Sequence, residues 1–313
     1  MEIDAGPGID EQAPPEGDFV VGSTGLVSRT LSVWGKNILT FIILFGILSA
    51  IFTVVRFFVL WMIFGDPNSA QFLMGYMGTD PFSFFIGLFS LVQLNLIQPD
   101  MMDTFVSVSL LLMVVSMIVY AVLIGATIKY SIDDYGRGQA HTGESVSVAL
   151  GRSGTLIMAQ LIVGFISAVL FAPALFYILL FPLTIATVTT FLVVILATFV
   201  LVFYVSIRLA PTAAVVIVED RSALDSVRRA FDMTSGQFWH VFAGQIILGI
   251  VVVILDIIVG LFLIGVAVEL GWLGGLLPVV ISGLLFVAIP YVFQAVLYLD
   301  LEARSLETSQ QLW

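Results

Sequence analysis

Six apolar runs, each long enough to cross a bilayer, leave this chain few folds to choose from. They extend from about Asn37 to Phe64, Thr104 to Ile128, Thr155 to Phe181, Leu183 to Ile207, Trp239 to Val268 and Leu273 to Leu299. A spanning helix needs about 20 such residues. In hydrocarbon each backbone N–H and C=O must be satisfied within its own segment, so runs of this length predict helices. Apolar residues make up 60% of the chain and charged residues 11%, against roughly 45–50% and about 25% in soluble domains. The expected fold class is all-α: a polytopic membrane helical bundle of six transmembrane helices paired as three hairpins. It forms one domain over residues 23–306, between an acidic tail (1–22) and a short tail (307–313).

Charge orients the bundle. Ten of the eleven Lys and Arg residues lie before, between or after the hairpins and never at their tips: Arg29, Lys36, Lys129, Arg137, Arg152, Arg208, Arg221, Arg228, Arg229 and Arg304. The positive-inside rule makes that side cytoplasmic, and an even number of spans puts both termini there, in the cell membrane. The opposite loops hold Asp66, Asp80, Asp100, Asp103 and Glu269 instead. The longest of them, Gly65–Met102, carries Phe82, Phe84, Phe85 and Phe89 and is expected to include a helix lying at, or re-entering, the outer interface. Glu2, Asp4, Asp10, Glu11, Glu16 and Asp18, with three prolines and no basic residue, predict a disordered acidic start that is not a cleaved signal peptide.

A short amphipathic segment precedes each odd-numbered span. Ser23–Trp34 places Leu26, Val27, Leu31 and Trp34 on one helical face, and Thr142–Arg152 repeats Val146, Ala149 and Leu150 at helical spacing. Before span five, Ser222 and Asp225 have the spacing of a capping box, followed by an apolar face of Ala223, Leu224, Val227, Ala230 and Phe231. The repeating unit is thus an interfacial amphipathic helix plus a hairpin, used three times. Lys129, Arg137, Arg228, Arg229 and Trp239 are its candidate lipid-headgroup contacts, and His240 is expected to anchor beside Trp239.

Three stretches carry a resemblance to a known family. They are Tyr130–Arg137; Ala213–Asp220 with Ala223–Ser226 and Met233–Trp239; and Tyr298–Arg304. Together they resemble the membrane domain found on some glycerophosphodiester phosphodiesterases and in stand-alone prokaryotic integral membrane proteins. The resemblance implies a six-helix membrane module. It implies no hydrolase activity, because the soluble domain holding that family's catalytic His and metal ligands is not expected in this chain.

Catalysis is not expected on other grounds either. The chain has no cysteine and only two histidines, His141 and His240. The acidic groups Asp133–Asp134 and Glu219–Asp220–Asp225 match no spacing with a mechanism. No catalytic residue, cofactor site or metal site is assigned, and the scattered basic residues exclude a nucleic-acid partner. Two charges lie within spans, Arg56 and Asp256, each roughly 18 residues, or about 27 Å, beyond the cytoplasmic start of its helix. They are expected to form an intramembrane ion pair. Gln160, Gln245 and Gln294 are expected to hydrogen-bond between helices, and Pro173, Pro182, Pro278 and Pro290 to interrupt or bound spans three and six. The expected role is non-enzymatic: organising or regulating membrane lipids, a membrane-protein partner or a second copy of the chain. The alternative is a transporter or flippase of a lipid-like or amphipathic solute.

Overall fold

A computed structural model of the chain describes residues 19–76, 102–180 and 185–310. The acidic start and Phe82, Phe84, Phe85 and Phe89 lie outside the described residues. Within them there is no strand, and six helical stretches are long and apolar enough to cross a membrane. The chain is an all-α, multi-pass membrane bundle.

Helix α1 (Ser23–Lys36) precedes span one, which is built from α2 (Ile38–Phe41), a π-helical turn (Ile42–Gly46) and α3 (Ile47–Phe64). A short α4 (Pro67–Tyr76) follows, and its first turn is capped by Asp66, whose carboxylate accepts the Ser69 backbone N–H at 2.8 Å and the Ser69 hydroxyl at 2.7 Å. Spans two to four are α5 (Met102–Arg137), α6 (Thr142–Leu180) and α7 (Ile185–Arg208). Two short helices, α8 (Thr212–Val218) and α9 (Ala223–Met233), lead to α10 (Phe238–Glu269), the fifth span. Helices α11 (Trp272–Phe286) and α12 (Ile289–Gln310) form the sixth.

The expected amphipathic units divide into two kinds. Helices α1 and α9 are separate from the spans they precede, but Thr142–Arg152 is simply the start of α6, a single helix of 39 residues. Gly151 and Gly154 do not break it, because glycine weakens a helix interior by only about 1 kcal/mol where tertiary packing supports the helix. Nor do α1 and α9 rest their apolar faces on lipid alone. Leu26, Val27 and Val33 of α1 pack against α10 and α12, leaving Thr24, Ser28, Ser32 and Lys36 outward. In α9, Val227, Ala230 and Met233 pack against α6 and α8. The Ser222 cap forms as expected, with its oxygen accepting the Asp225 N–H at 3.3 Å. In return the Ser222 hydroxyl donates to the Asp225 carboxylate at 2.6 Å.

Span six breaks at Val287–Ala288, just ahead of Pro290. A proline lacks the N–H that would reach four residues back, and its ring crowds the carbonyl there, so a helix restarts more readily than it continues. Trp34 Nε1 donates to the Leu285 carbonyl at 3.2 Å beside that break. The π turn meets the same region from span one. A Cβ on Gly46 would lie 2.2 Å from the Leu284 carbonyl oxygen, so only glycine lets the two backbones approach this closely.

Most of the core lies at one end of the bundle, where α1, the π turn, α5, α8 and α12 bury Leu26, Phe45, Ile128, Val215 and Val292. Helix α8 is almost wholly enclosed there, against α5, α6, α9 and α12. A smaller cluster of Phe57, Leu60, Ala70, Phe105 and Leu276 closes the other end. The outward faces between are apolar: Met62, Phe165 and Phe262 are each at least 70% exposed, a surface suited to lipid.

Candidate functional site

The α8 end of the bundle carries a collar of paired charges. Among the described residues, eight ion pairs of Lys or Arg with Asp or Glu, and the His240–Asp300 hydrogen bond, lie in it. Asp133, buried on α5, accepts from Lys129 one turn back at 2.8 Å and lies 3.5 Å from Arg137 one turn on. Its neighbour Asp134 takes Lys36 at 2.9 Å and the Asn37 amide at 2.8 Å, joining α5 to the end of α1. The Tyr130 hydroxyl donates to Asn37 Oδ1 at 3.1 Å, and Arg29 donates to the Tyr135 hydroxyl.

Glu219, at the end of α8, is a second hub. It accepts Arg221 Nε at 2.6 Å, Arg229 Nε at 3.2 Å and the Tyr298 hydroxyl at 3.2 Å, drawing α9 and α12 together. Asp220, beside it in the left-handed region (φ 47°), pairs with Arg152 of α6. Arg208 ends α7 almost fully buried. It donates to the Phe231 carbonyl at 2.8 Å, with its guanidinium carbon 4.0 Å from the Phe231 ring centroid, while Thr234 Oγ1 donates to the Arg208 carbonyl at 3.0 Å.

The third hub is Asp300, which is 0% exposed. Its Oδ1 accepts the Val21 N–H at 2.8 Å, and its Oδ2 accepts His240 Nε2–H and Arg304 Nε, each at 2.9 Å. Arg304 also donates to the Val21 carbonyl, and Ser23 Oγ lies 3.2 Å from His240 Nδ1 and 3.1 Å from the His240 carbonyl. Ser23, His240 and Asp300 thus stand in the order of a nucleophile, base and acid. With the Asp300 carboxylate also held by Arg304 and a backbone amide, the set is a latch that fastens the chain before α1 to the facing ends of α10 and α12. His240 therefore turns inward, in place of the expected headgroup anchor, while Trp239 beside it is 74% exposed.

These pairings sort the candidate headgroup contacts. Lys129 is 16% exposed and held by Asp133, and Arg229 is held by Glu219. Arg137 is partly exposed beside Asp133, and Arg228 is 70% exposed, 3.9 Å from Asp225. Leu224, Arg228 and Phe231 follow one another at helical spacing on the outer side of α9, all exposed.

Arg56 and Asp256 are not joined by any ion pair among the described residues. Arg56 belongs to α3, which packs against α4, α5 and α11. Asp256 is exposed on α10, among Val253, Ile254, Ile257 and Ile258 on its outward side. Matching depth along two helices does not put two side chains on facing sides, and the rotation of α10 was not legible from spacing alone.

Beneath the collar, α5, α6, the end of α7, α8 and α12 line a cavity of about 360 Å³ that is open on one side. Gln160 and Gln294 line it, with Tyr120, Ser167 and Tyr291. Gln294 Oε1 is buried and has no hydrogen-bond partner, contrary to the expected interhelical bond. Phe45, carried by the π turn, stands behind the two tyrosines, stacked on Tyr291 at 5.2 Å and tilted to Tyr120 at 5.6 Å. Among the described residues no group of three or more His, Asp or Glu side chains has the proximity to hold a metal ion. Comparison with protein-family models, curated proteins and solved structures gave no match.

Proposed function

We propose that this chain is a non-enzymatic protein of the prokaryotic cell membrane, with both termini cytoplasmic, that organises or regulates a lipid or a membrane-protein partner. The observation that carries this reading is the collar. Its basic residues are largely neutralised within the chain, so it is a preassembled platform, and its outward α9 stripe of Leu224, Arg228 and Phe231 combines apolar surface with one exposed cation, while Trp239 at the start of α10 is exposed as well. That combination suits the interface with an anionic leaflet. In this reading α1 and α9 are equivalent members of an internal repeat whose middle copy has fused with its span.

The stretches that carry the family resemblance converge in the collar. Ala213–Asp220 overlaps α8, which packs on the α5 end bearing Tyr130–Arg137 and on α12 bearing Tyr298–Arg304. This supports reading the chain as that family's membrane module. A second reading, transport of a lipid-like or amphipathic solute, is favoured by the cavity. Neither Arg56 nor Asp256 lines it, so any such cycle would run without those charges.

Purification from the native host in mild detergent, with identification of retained lipid and protein, tests the proposal. A reproducible lipid or protein partner lost on Arg228→Glu with Trp239→Ala supports it. Hydrolytic turnover of a co-purified lipid by the isolated chain would contradict it.

A further inference from the structure

The cavity beneath the collar has a composition that selects a ligand. No Asp, Glu, Lys, Arg or His is among its lining residues. A charged headgroup would therefore meet no countercharge in the lining and would lose part of its hydration without compensation. A wholly apolar molecule fits no better, because hydroxyls and carboxamides line one part of the space and Gln294 Oε1 lacks a donor. What is missing is an O–H or N–H on an uncharged head. Met117, Ile124, Leu156 and Val163 complete the wall with apolar surface suited to the start of an alkyl chain.

Depth and size agree. Gln160 lies eight residues beyond Arg152 in α6 and Gln294 ten residues before Arg304 in α12, placing both about 12–15 Å below the collar. A phosphate head would stay with the collar, whereas a neutral head can descend that far. A volume of about 360 Å³ falls in the range of small-molecule sites and has room for a head and the first part of a chain. Ser206 is the one exposed residue of the lining and marks the mouth. Behind the site, Phe45 fixes Tyr120 and Tyr291, so the polar wall is preformed.

We infer that this cavity is a binding site for a neutral, hydroxyl-bearing single-chain amphiphile, a long-chain alcohol in chemical class, whose hydroxyl donates to Gln294. The inference deepens the lipid-linked reading above. Its test uses the full chain in detergent with three diazirine probes of equal chain length: hexadecanol, hexadecane, and palmitate at a pH that keeps it ionised. The alcohol is expected to label the segments around Gln160 and Gln294 about fivefold more than either other probe, the ratio that one net hydrogen bond supplies. Gln294→Leu should bring alcohol labelling down to the alkane level, and Ala213→Phe, which fills the space, should suppress all three. Unlabelled hexadecanol should compete.

Equal labelling by the three probes in the wild-type chain overturns the site without recourse to any variant. Preference that survives Gln294→Leu overturns the assignment of the hydroxyl. Loss of alcohol preference in a chain that still retains a native partner would refute this inference and leave the proposed function standing.

Discussion

Asp300 shows most clearly what a single residue does in this molecule. Its carboxylate has no exposure and satisfies three donors at once, from Val21, His240 and Arg304. Removing it takes an acceptor from a guanidinium, an imidazole and a backbone N–H at once. Asp300→Ala is expected to cost about 3–5 kcal/mol in denaturant unfolding, the range for a buried pair that loses one member. His240→Ala, which leaves Arg304 and Val21 in place on the carboxylate, should cost distinctly less. Gln294 presents the reverse case. Without ligand, Gln294→Leu removes a buried acceptor that has no donor, and stability is expected to rise by about 1–3 kcal/mol in the same measurement. Of Asp300's partners only Arg304, one helical turn away, was legible from spacing. Val21 and His240 lie 279 and 60 residues distant, and periodicity along one helix carries no information about contacts of that range.

At the scale of elements, the six spans were legible because apolar length is a property of each segment alone. Their ends agree with the helices within a few residues, apart from α5, α6 and α12, where helix continues into the polar collar. The π turn was not legible, since it answers a contact that only the folded bundle makes: the approach of Gly46 to Leu284. Gly46→Ala puts a methyl against a backbone carbonyl that no rotamer can move aside. A loss of about 1–3 kcal/mol is expected, with Phe45 displaced from Tyr291, seen as lower stability and altered aromatic circular dichroism. Helix α4, which is not one of the six candidate spans, carries a pH-sensitive cap. The Ser69 hydroxyl and N–H, with Asn68, hold the Asp66 carboxyl below the usual carboxylate range. A lowered pKa means that the cap's contribution is present above the unfolded value and is lost as pH falls through the folded one. Protection of the α4 amides, taken relative to the intrinsic exchange rate at each pH, should therefore fall on acidification, and Asp66→Asn should flatten that dependence.

For the whole molecule, the basic residues tie together the end of the bundle at which they gather. They meet carboxylates from distant segments in three hubs, on Asp133–Asp134, Glu219–Asp220 and Asp300, and these bind α1, α8, α9 and the span ends into one layer. The count of Lys and Arg on each side gives an expected orientation. Their internal neutralisation was not legible, because an exposed cation and a paired one look alike in sequence. The collar is expected to be cytoplasmic and the α4 end external, and the absence of cysteine gives a clean background for testing this. Single cysteines at Ser28, on the outward face of α1, and at Asn68, in the first turn of α4, should be probed with a membrane-impermeant maleimide on intact cells. Labelling of Asn68→Cys in intact cells, and of Ser28→Cys only after permeabilisation, is the expected result. Labelling of Ser28→Cys in intact cells, with Asn68→Cys protected, would contradict it.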